Sequence, residues 1–403
     1  MEEVSQGASE PDSPVPGVKR PVFILGVVSF LTDVSSEMVY PLVPLFLTSV
    51  LGAPLTAVGI IEGLAEGGAS LFKTVGGWAS DRLRMRRPLV FAGYALSAVA
   101  KPLLAAAYVW PVVLLVRFGD RAGKGVRTAP RDALVAEVTP AQVRGRAFGF
   151  HRAADTLGAV VGPAVALGLL ALFSDNFRLI FILAFIPAVA GVALVSLVRE
   201  RPPPPAAAGA TTSTWRELGV GFYVFLGVSL VFALGNSSDV FLLLRAKDVG
   251  LSNSEVVLSY MLFNLVYAVV AMPAGIASDR LGRRNVIGLG FAVFAAVYVG
   301  FGLAGGGAVI WPLFAVYGLY MALTEGVGRA FVADFVPSDR RATALGLYQG
   351  AMGAMILLSS VIAGALWDIV DPAAPFFLGA ATALLALVAL VILRPQVAVP
   401  PRG

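Results

Sequence analysis

Twelve apolar segments, each long enough to cross a lipid bilayer as a helix, make up most of the 403-residue chain. The hydrocarbon core of a bilayer is about 30 Å thick, so a spanning helix needs about 20 predominantly apolar residues. Segments 1 to 12 cover approximately residues 21–47, 55–79, 88–108, 111–136, 147–172, 178–198, 217–244, 254–278, 286–304, 308–333, 342–366 and 375–393. They predict an all-α membrane protein with twelve transmembrane helices and the lipid bilayer as a partner.

Composition excludes several kinds of site. Only 14% of the residues are charged, whereas about 25% is usual in soluble domains. The chain has no Cys and a single His, which excludes disulfides, thiolate nucleophiles and iron–sulfur centres and most multi-His metal sites. No metal site and no cofactor are therefore predicted. The net charge of +5 arises in loops and tails, so it predicts topology and no nucleic-acid partner.

The distribution of Lys and Arg among the loops predicts the orientation of the chain. With the N-terminus inside, the inner loops and tails hold eighteen of these residues and the outer loops hold three. Cytoplasmic loops retain positive charge, so both termini are predicted to be cytoplasmic. Residues 1–18 are acidic and rich in Pro, without the basic start and apolar core of a signal peptide. A disordered cytoplasmic tail is predicted there.

The two halves of the chain repeat one plan. Residues 77–83 recur as 275–281 at an offset of 198, and residues 35–37 recur as 237–239 at an offset of 202. Two copies with six segments each have the same orientation, which predicts two six-helix bundles related by an axis along the membrane normal. The predicted units are the tail 1–18, an N-terminal bundle 19–198, a Pro-rich cytoplasmic linker 199–215, a C-terminal bundle 216–394 and a cytoplasmic tail 395–403.

A loop pattern of the form Gly-x-x-x-Asp-Arg-x-Gly-Arg-Arg follows segments 2 and 8, with Arg84 replacing the second Gly in the first copy. Its residues are Gly77, Asp81 and Arg82 in the first copy, and Gly275, Asp279, Arg280, Gly282, Arg283 and Arg284 in the second. In this pattern the chain resembles the major facilitator superfamily of secondary transporters over essentially its whole length. The resemblance implies two bundles that work by alternating access. The loop charges would latch neighbouring cytoplasmic helix ends in addition to setting the topology. A role in topology alone is the alternative.

Segment 5 carries Gly149, Gly158, Gly162 and Pro163, which are similar to a glycine-rich signature of antiporters in this superfamily. Glycines at this spacing let two helices approach closely, and Pro163 bends the helix. The resemblance favours export by exchange. Tight helix packing without a role in transport is the alternative.

Nine basic and nine acidic residues remain within the segments. A charge at the bilayer centre costs about 2.5–3.5 kcal/mol on insertion scales, so these groups are expected to pair or to line a wet cavity. The predicted proton and charge network is Asp33, Glu37, Glu62, Glu66, Asp120, Arg121 and Lys124. Helical spacing, the repeat and the family resemblance together imply a substrate cavity with Arg117, Arg127, Asn236, Asp239, Tyr260, Asn264 and Glu325.

Two carboxylates are the first candidates for a reversible proton carrier, Asp33 and Glu37. A carboxylate that moves between water and an apolar or salt-bridged environment can take up and release a proton near neutral pH. Glu62 and Glu66 are the second candidates. Arg121 and Lys124 either hold the carrier ionised or receive an anionic substrate. A permanently satisfied charge network that only fixes helix packing is the alternative.

These observations predict a secondary active transporter of the inner (cytoplasmic) membrane that functions as a monomer. The leading hypothesis is proton-coupled export of a small organic molecule, driven by the proton gradient. The alternative is uptake or exchange of an anionic solute, because segment 4 is rich in cations. A non-transporting receptor or a membrane-embedded enzyme is the remote alternative.

Overall fold

The computed structural model describes residues 19–83, 86–139, 144–173, 175–198, 218–336 and 341–395. Within these ranges the regular structure is helical throughout. The N-terminal half contains α1 (Arg20–Val39), α2 (Leu42–Leu45), α3 (Leu55–Leu83), α4 (Arg86–Ala105), α5 (Trp110–Val138), α6 (Arg144–Leu172) and α7 (Phe177–Val195). The C-terminal half contains α8 (Val220–Ala233), α9 (Val240–Asp248), α10 (Asn253–Leu281), α11 (Arg283–Leu303), α12 (Ile310–Asp334), α13 (Arg341–Ile369) and α14 (Ala374–Leu393). The predicted tail 1–18, the linker 199–215 and residues 396–403 lie outside the described residues.

Nine helical stretches in the described ranges are long and apolar enough to cross a membrane, by length and composition. The three remaining spans are α3, α5 and the pair α8 and α9. Each packs against a helix of the apolar set, α3 on α13, α5 on α4 and α8 on α14. The charged spans α3 and α5 are thereby packed against other helices, as the cost of exposing charge to lipid requires, whereas α8 is apolar and falls outside the set only because it is short. The chain is a multi-pass membrane protein of twelve spans, and in the orientation that the loop charges predict α3 begins on the outer side.

Segments 1 and 7, predicted as continuous runs, are both broken in the structure. Segment 1 leaves the α-helical path at Tyr40 and Pro41 and ends in a π-helical turn, Phe46–Val50. Proline removes a backbone donor and disturbs the preceding turn, which explains the break. Segment 7 is non-helical over residues 234–239. The Gly, Asn and Ser residues of this stretch have low helix propensity. Irregular backbone at membrane depth is tolerated where it lines a cavity.

Helix packing follows the same scheme in both halves. In the N-terminal half α5 contacts α3 and α4, while α7 contacts α1 and α4. In the C-terminal half α12 contacts α10 and α11, while α14 contacts α8 and α11. The halves meet through α3 on α13 and, in the equivalent place, α6 on α10. The internal repeat of the sequence therefore appears as two similar bundles with a two-fold arrangement of their interface.

The outer ends of α3 and α13 lie in close contact. A Cβ atom added to Gly63 would lie 2.9 Å from Leu357 Cα, and one added to Gly364 would lie 2.7 Å from Thr56 Cα. Real Cβ atoms do not approach this closely, so only glycine permits this helix separation. Since α3 starts on the outer side, the two halves are closed against each other there.

A carboxylate adds a polar connection to this outer contact. The Asp368 side chain, in the last turn of α13, accepts hydrogen bonds from the backbone N–H groups of Leu55 and Thr56 at 3.0 and 2.7 Å. It also accepts one from the Thr56 hydroxyl at 2.6 Å. These donors are the unsatisfied groups at the N-terminus of α3. We call this set of contacts the outer latch.

Candidate functional site

A cavity of about 590 Å³ lies between the two halves. Its charged lining comes from five residues of the N-terminal half, Glu37, Glu66, Lys73, Arg121 and Lys124, and three of the C-terminal half, Asp239, Glu325 and Arg329. The cavity extends along α3 as far as Lys73 and along α12 as far as Arg329, toward the cytoplasmic ends of both helices. With the outer ends of α3 and α13 in contact, the cavity extends toward the cytoplasmic side.

The C-terminal wall of the cavity is aromatic. Its rings are Phe225, Phe232, Phe291, Tyr317, Tyr320 and Tyr348. They also pack on one another: the centroids of Phe232 and Phe291 are 4.4 Å apart and those of Tyr317 and Tyr320 are 5.2 Å apart. The unwound segment after α8 supplies Asn236, whose amide donates to the Tyr320 hydroxyl at 3.1 Å. Most of this wall thus offers flat apolar surface with hydroxyl groups at intervals.

Two cavity carboxylates are held by tyrosine hydroxyls. Tyr260 on α10 donates to Glu37 Oε2 on α1 at 2.8 Å, a hydrogen bond that joins the two halves. Tyr317 on α12 donates to Asp239 Oδ1 at 2.5 Å within the C-terminal half. Neither carboxylate has a basic side chain within 4.0 Å among the described residues. Glu37 and Asp239 therefore face the cavity as acids with hydroxyl partners only.

Other predicted network carboxylates are neutralised by ion pairs. Glu62 binds Arg117 through both carboxylate oxygens at 2.8 Å, and the two side chains are buried. One helical turn further, Glu66 Oε1 lies 3.0 Å from Arg121. Residues at i and i+4 on α3 thus pair with residues at i and i+4 on α5, which gives two consecutive ion pairs between these helices.

A further ion pair lies behind the cavity. Asp120 on α5 lies 3.0 Å from Lys101 on α4, and both are buried. Lys101 also donates to the Ser36 hydroxyl at 3.3 Å on α1. These contacts tie three helices together close to Glu37.

Several predicted residues lie away from the cavity wall. Arg127 is buried beside α4, where it donates to the Ser97 hydroxyl at 2.8 Å and lies 4.2 Å from the centre of the Tyr94 ring. Asn264 donates to the Tyr260 carbonyl of its own helix at 2.9 Å. Asp33 is half-buried and makes no hydrogen bond or ion pair with the described residues. The structure brings Glu37, but not Asp33, to the lining.

Two cavity residues that the sequence hypothesis left out of the site are cations. Lys73 and Arg329 both line the cavity, and Arg329 pairs with Glu325 on the next turn of α12. Glu325 also accepts a hydrogen bond from the Tyr267 hydroxyl at 2.7 Å. Both cations were recognisable as charges within apolar segments, whereas their orientation depends on helix rotation. Tyr317, Tyr320 and Thr324 also line the cavity. Their spacing in the sequence places the three hydroxyls on one face of a helix, so this polar face could have been recognised from the sequence.

The glycines of segment 5 pack against α1 at the two carboxylates. A Cβ atom on Gly158 would lie 2.9 Å from Asp33 Cβ, and one on Gly162 would lie 2.8 Å from Glu37 Cβ. Pro163 lies inside α6 next to the second contact. Gly149 lies in the same helix, but its surroundings are outside the described residues. The two glycines set the distance between α6 and the carboxylate-bearing face of α1.

We expect Gly162→Ala to destabilise the protein by about 1–3 kcal/mol, the usual range for overpacking. The added methyl would lie 2.6 Å from the Val34 carbonyl oxygen, which is backbone and cannot rotate away. The midpoint of thermal unfolding of the purified protein in detergent measures the change. Gly168→Ala on the same helix is the matched control, because nothing lies within 4 Å of its added Cβ. Equal midpoints for the two variants would contradict the packing argument.

The second loop pattern forms an ion-pair cluster at the cytoplasmic side. Gly282 has φ +86°, a conformation that favours glycine, and it is the N-cap residue directly before α11. Arg283 contacts Asp334 at the end of α12 at 2.6 Å and Asp279 at 3.5 Å. Arg280 is exposed. The remaining residues of this copy are Gly275 and Arg284. A Cβ atom added to Gly275 would have no atom within 4 Å, and Arg284 lines the same surface pocket as Arg283.

The first loop copy begins at the end of α3. Gly77, Asp81 and Arg82 lie in the last turns of α3. Their side chains lie outside the described residues. Arg87, which closes this copy at the start of α4, donates to the backbone carbonyl of Ser196 just after α7 at 2.6 Å.

Comparison with known proteins agrees with this architecture. The family model of the Major Facilitator Superfamily matches residues 25–244 and 224–403. An uncharacterized MFS-type transporter of Methanocaldococcus jannaschii is 34% identical over 374 residues, 91% of this chain and 93% of that protein. The tetracenomycin C resistance and export protein of Streptomyces glaucescens is 34% identical over 130 residues, 32% of this chain and 24% of that protein.

A solved structure shows the same fold. The crystal structure of the peptide transporter POT in complex with sulfate has a TM-score of 0.78 at 17% identity, covering 96% of this chain and 97% of that chain. Two helical bundles around a central cavity are the fold that the two proteins share. The chain belongs to the major facilitator superfamily. It is a membrane transporter and not an enzyme.

Proposed function

We propose that this protein exports a small organic molecule from the cytoplasm in exchange for protons, across the cytoplasmic membrane. The observation that carries the proposal is the contact between Glu37 and Tyr260. Glu37 lines the cavity, has no basic partner within 4.0 Å among the described residues, and accepts a hydrogen bond from the opposite half. A change in its protonation therefore acts directly on the contact between the halves.

The coupling follows from the chemistry of this hydrogen bond. An ionised Glu37 accepts from the Tyr260 hydroxyl in a charge-assisted bond, which is stronger than the bond between two neutral groups. Protonation of the carboxylate weakens the bond and favours separation of α1 from α10. The proton enters when the cavity faces outward and leaves toward the cytoplasm. Asp33, close by on α1, is the second candidate for the carrier, whereas the ion pairs of Glu62 and Glu66 favour a structural role.

The export direction rests on two supports. The Streptomyces glaucescens relative is named as a resistance and export protein. The glycines of α6 that resemble the antiporter signature pack directly on Asp33 and Glu37. Both connect this chain with exchange-driven export, with the proton gradient as the energy source and without a bound cofactor.

A second candidate function is uptake or exchange of an anionic solute. The ammonium groups of Lys73 and Lys124 line the cavity and make no ion pair or hydrogen bond with the described residues. Free cations of this kind would receive an anion. This candidate predicts transport of anionic compounds that is insensitive to the charge of Glu37.

We expect Glu37→Gln to abolish transport driven by a pH gradient, because a glutamine cannot carry a proton. Proteoliposomes with trapped pyranine report proton movement when ethidium, an aromatic cation, or fluorescein, an aromatic anion, is supplied. The parent protein should couple the movement of one dye to that of protons. Glu37→Gln should retain downhill dye movement while proton movement falls to the level of empty liposomes.

The matched control is Glu255→Gln, which changes an exposed carboxylate at the outer start of α10 outside the cavity. It should behave as the parent protein. Proton movement that persists in Glu37→Gln and disappears in Asp33→Asn would transfer the carrier role to Asp33. Persistence in both single variants and in the double variant would contradict proton coupling through α1.

A further inference from the structure

Four charges of the cavity have no counter-ion. Arg121 is engaged by Glu66 at 3.0 Å, and Arg329 is engaged by Glu325. After these pairs, the unmatched groups in the described lining are Lys73, Lys124, Glu37 and Asp239. Glu37, Lys124 and Asp239 are partly buried, where an unpaired charge is costly, whereas Lys73 is exposed. Two charges of each sign are therefore available to a ligand.

The unmatched lysines and Glu37 lie at different distances from the cytoplasmic helix ends. At about 1.5 Å per helical residue, Lys73 lies about 15 Å and Lys124 about 21 Å from the cytoplasmic ends of α3 and α5. Glu37 lies about 25 Å from the cytoplasmic end of α1. Asp239 is the last residue of the unwound segment 234–239 and lines the same cavity. Among the unmatched charges, both lysines thus lie nearer the cytoplasmic mouth than Glu37, Lys124 by only about one helical turn.

The C-terminal wall of the cavity beside these charges is largely aromatic. Phe232, Phe291 and Tyr320 line the C-terminal wall, while the two lysines project from the N-terminal wall. Aromatic faces bind planar apolar groups and also attract cations. A ligand that touches both walls therefore meets aromatic surface along its body and opposite charges at its ends.

We infer that the cavity binds dipolar aromatic molecules, with an amine directed toward Glu37 and Asp239 and an acidic group directed toward Lys73 and Lys124. This inference rests on the proposed function, since it names the substrate class of the same cavity. A molecule with one charge satisfies one end and leaves the other end unmatched. A zwitterion matches both, and its binding adds no net charge to the membrane interior.

The test compares three forms of one scaffold. The probes are para-(aminomethyl)benzoate as the zwitterion, its methyl ester as the cation and its N-acetyl derivative as the anion, each with its biphenyl homologue. Concentration-dependent thermal stabilisation of the purified protein gives the apparent Kd of each. The zwitterion should bind at least about tenfold more tightly than both single-charge forms, the gain expected for one more charged hydrogen bond.

Substitutions at the two ends should separate the two contributions. Lys124→Gln should weaken the zwitterion and the anion about tenfold and leave the cationic ester unchanged. Asp239→Asn should weaken the zwitterion and the ester and leave the anion unchanged. Lys247→Gln, at the outer end of α9 away from the lining, is the control and should change none of them.

The outcomes distinguish this inference from the proposed function. Single-charge probes that bind as tightly as the zwitterion, or a probe set that gives no stabilisation, would overturn the dipolar ligand. Ethidium movement that remains coupled to protons in that case would leave proton-driven export standing. Zwitterion binding with the predicted variant pattern, but without proton coupling in the pyranine assay, would support the ligand class and contradict the coupling.

Discussion

Replacing Arg117 by methionine is expected to lower the free energy of unfolding by about 3–5 kcal/mol, because it leaves the buried Glu62 carboxylate without its partner. Glu62 is 1% exposed and Arg117 is 3% exposed, so water cannot replace the lost contact. The measurement is reversible unfolding in mixed detergent micelles, followed by the loss of helical signal. A loss of this size is a large part of the total stability of most domains.

A double-substitution cycle provides the control for this ion pair. Glu62→Gln combined with Arg117→Met removes both charges at once, so the double variant should be more stable than Arg117→Met alone. Strict additivity of the two single changes would show that the pair contributes nothing as a pair. Lys247→Gln, which removes an outer cation without a buried partner, should change the free energy of unfolding by at most about 0.5 kcal/mol.

The existence of these ion pairs could be predicted from the sequence, but their partners could not. Charges at i and i+4 within apolar segments must face the protein interior, because exposing them to lipid costs free energy. This inference requires no knowledge of the neighbouring helices. Whether Glu62 meets Arg117, Arg121 or Lys124 depends on the rotation and axial shift of α3 against α5. Those are set by contacts such as Gly76 on Val126 and Gly125 on Phe72, which no local pattern contains.

The break in segment 7 shows a different limit of sequence reasoning. Hydropathy treats 217–244 as one apolar run, because the short polar stretch barely changes the average. The helix-disfavouring composition of 234–239 was present in the sequence. Its role as part of the cavity wall can be recognised only from the three-dimensional structure. The same holds for Tyr260 and Tyr317, whose hydroxyls are distinguished from other tyrosines by the carboxylates they contact.

Replacing Asp368 by asparagine is expected to shift the protein toward an outward-open state by roughly tenfold, since a hydrogen bond to a charged group contributes about 1.5–3 kcal/mol and this carboxylate is exposed. The outer latch connects α13 to the start of α3, so it stabilises only those states in which the outer ends meet. Because the chain has no Cys, Ser237→Cys in the cavity provides a single labelling site. Labelling by an impermeant maleimide added from outside to right-side-out vesicles measures the outward-open population.

Asp371→Asn is the matched control for the outer latch. Its carboxylate also accepts a backbone hydrogen bond near the outer surface, but from Ala373 in the same turn and not from the opposite half. Faster labelling in both variants would indicate general loosening of the outer surface, whereas equal rates in Asp368→Asn and the Ser237→Cys background would contradict the latch. Thr56→Val should accelerate labelling less than Asp368→Asn, because it removes the hydroxyl contact and keeps both backbone donors.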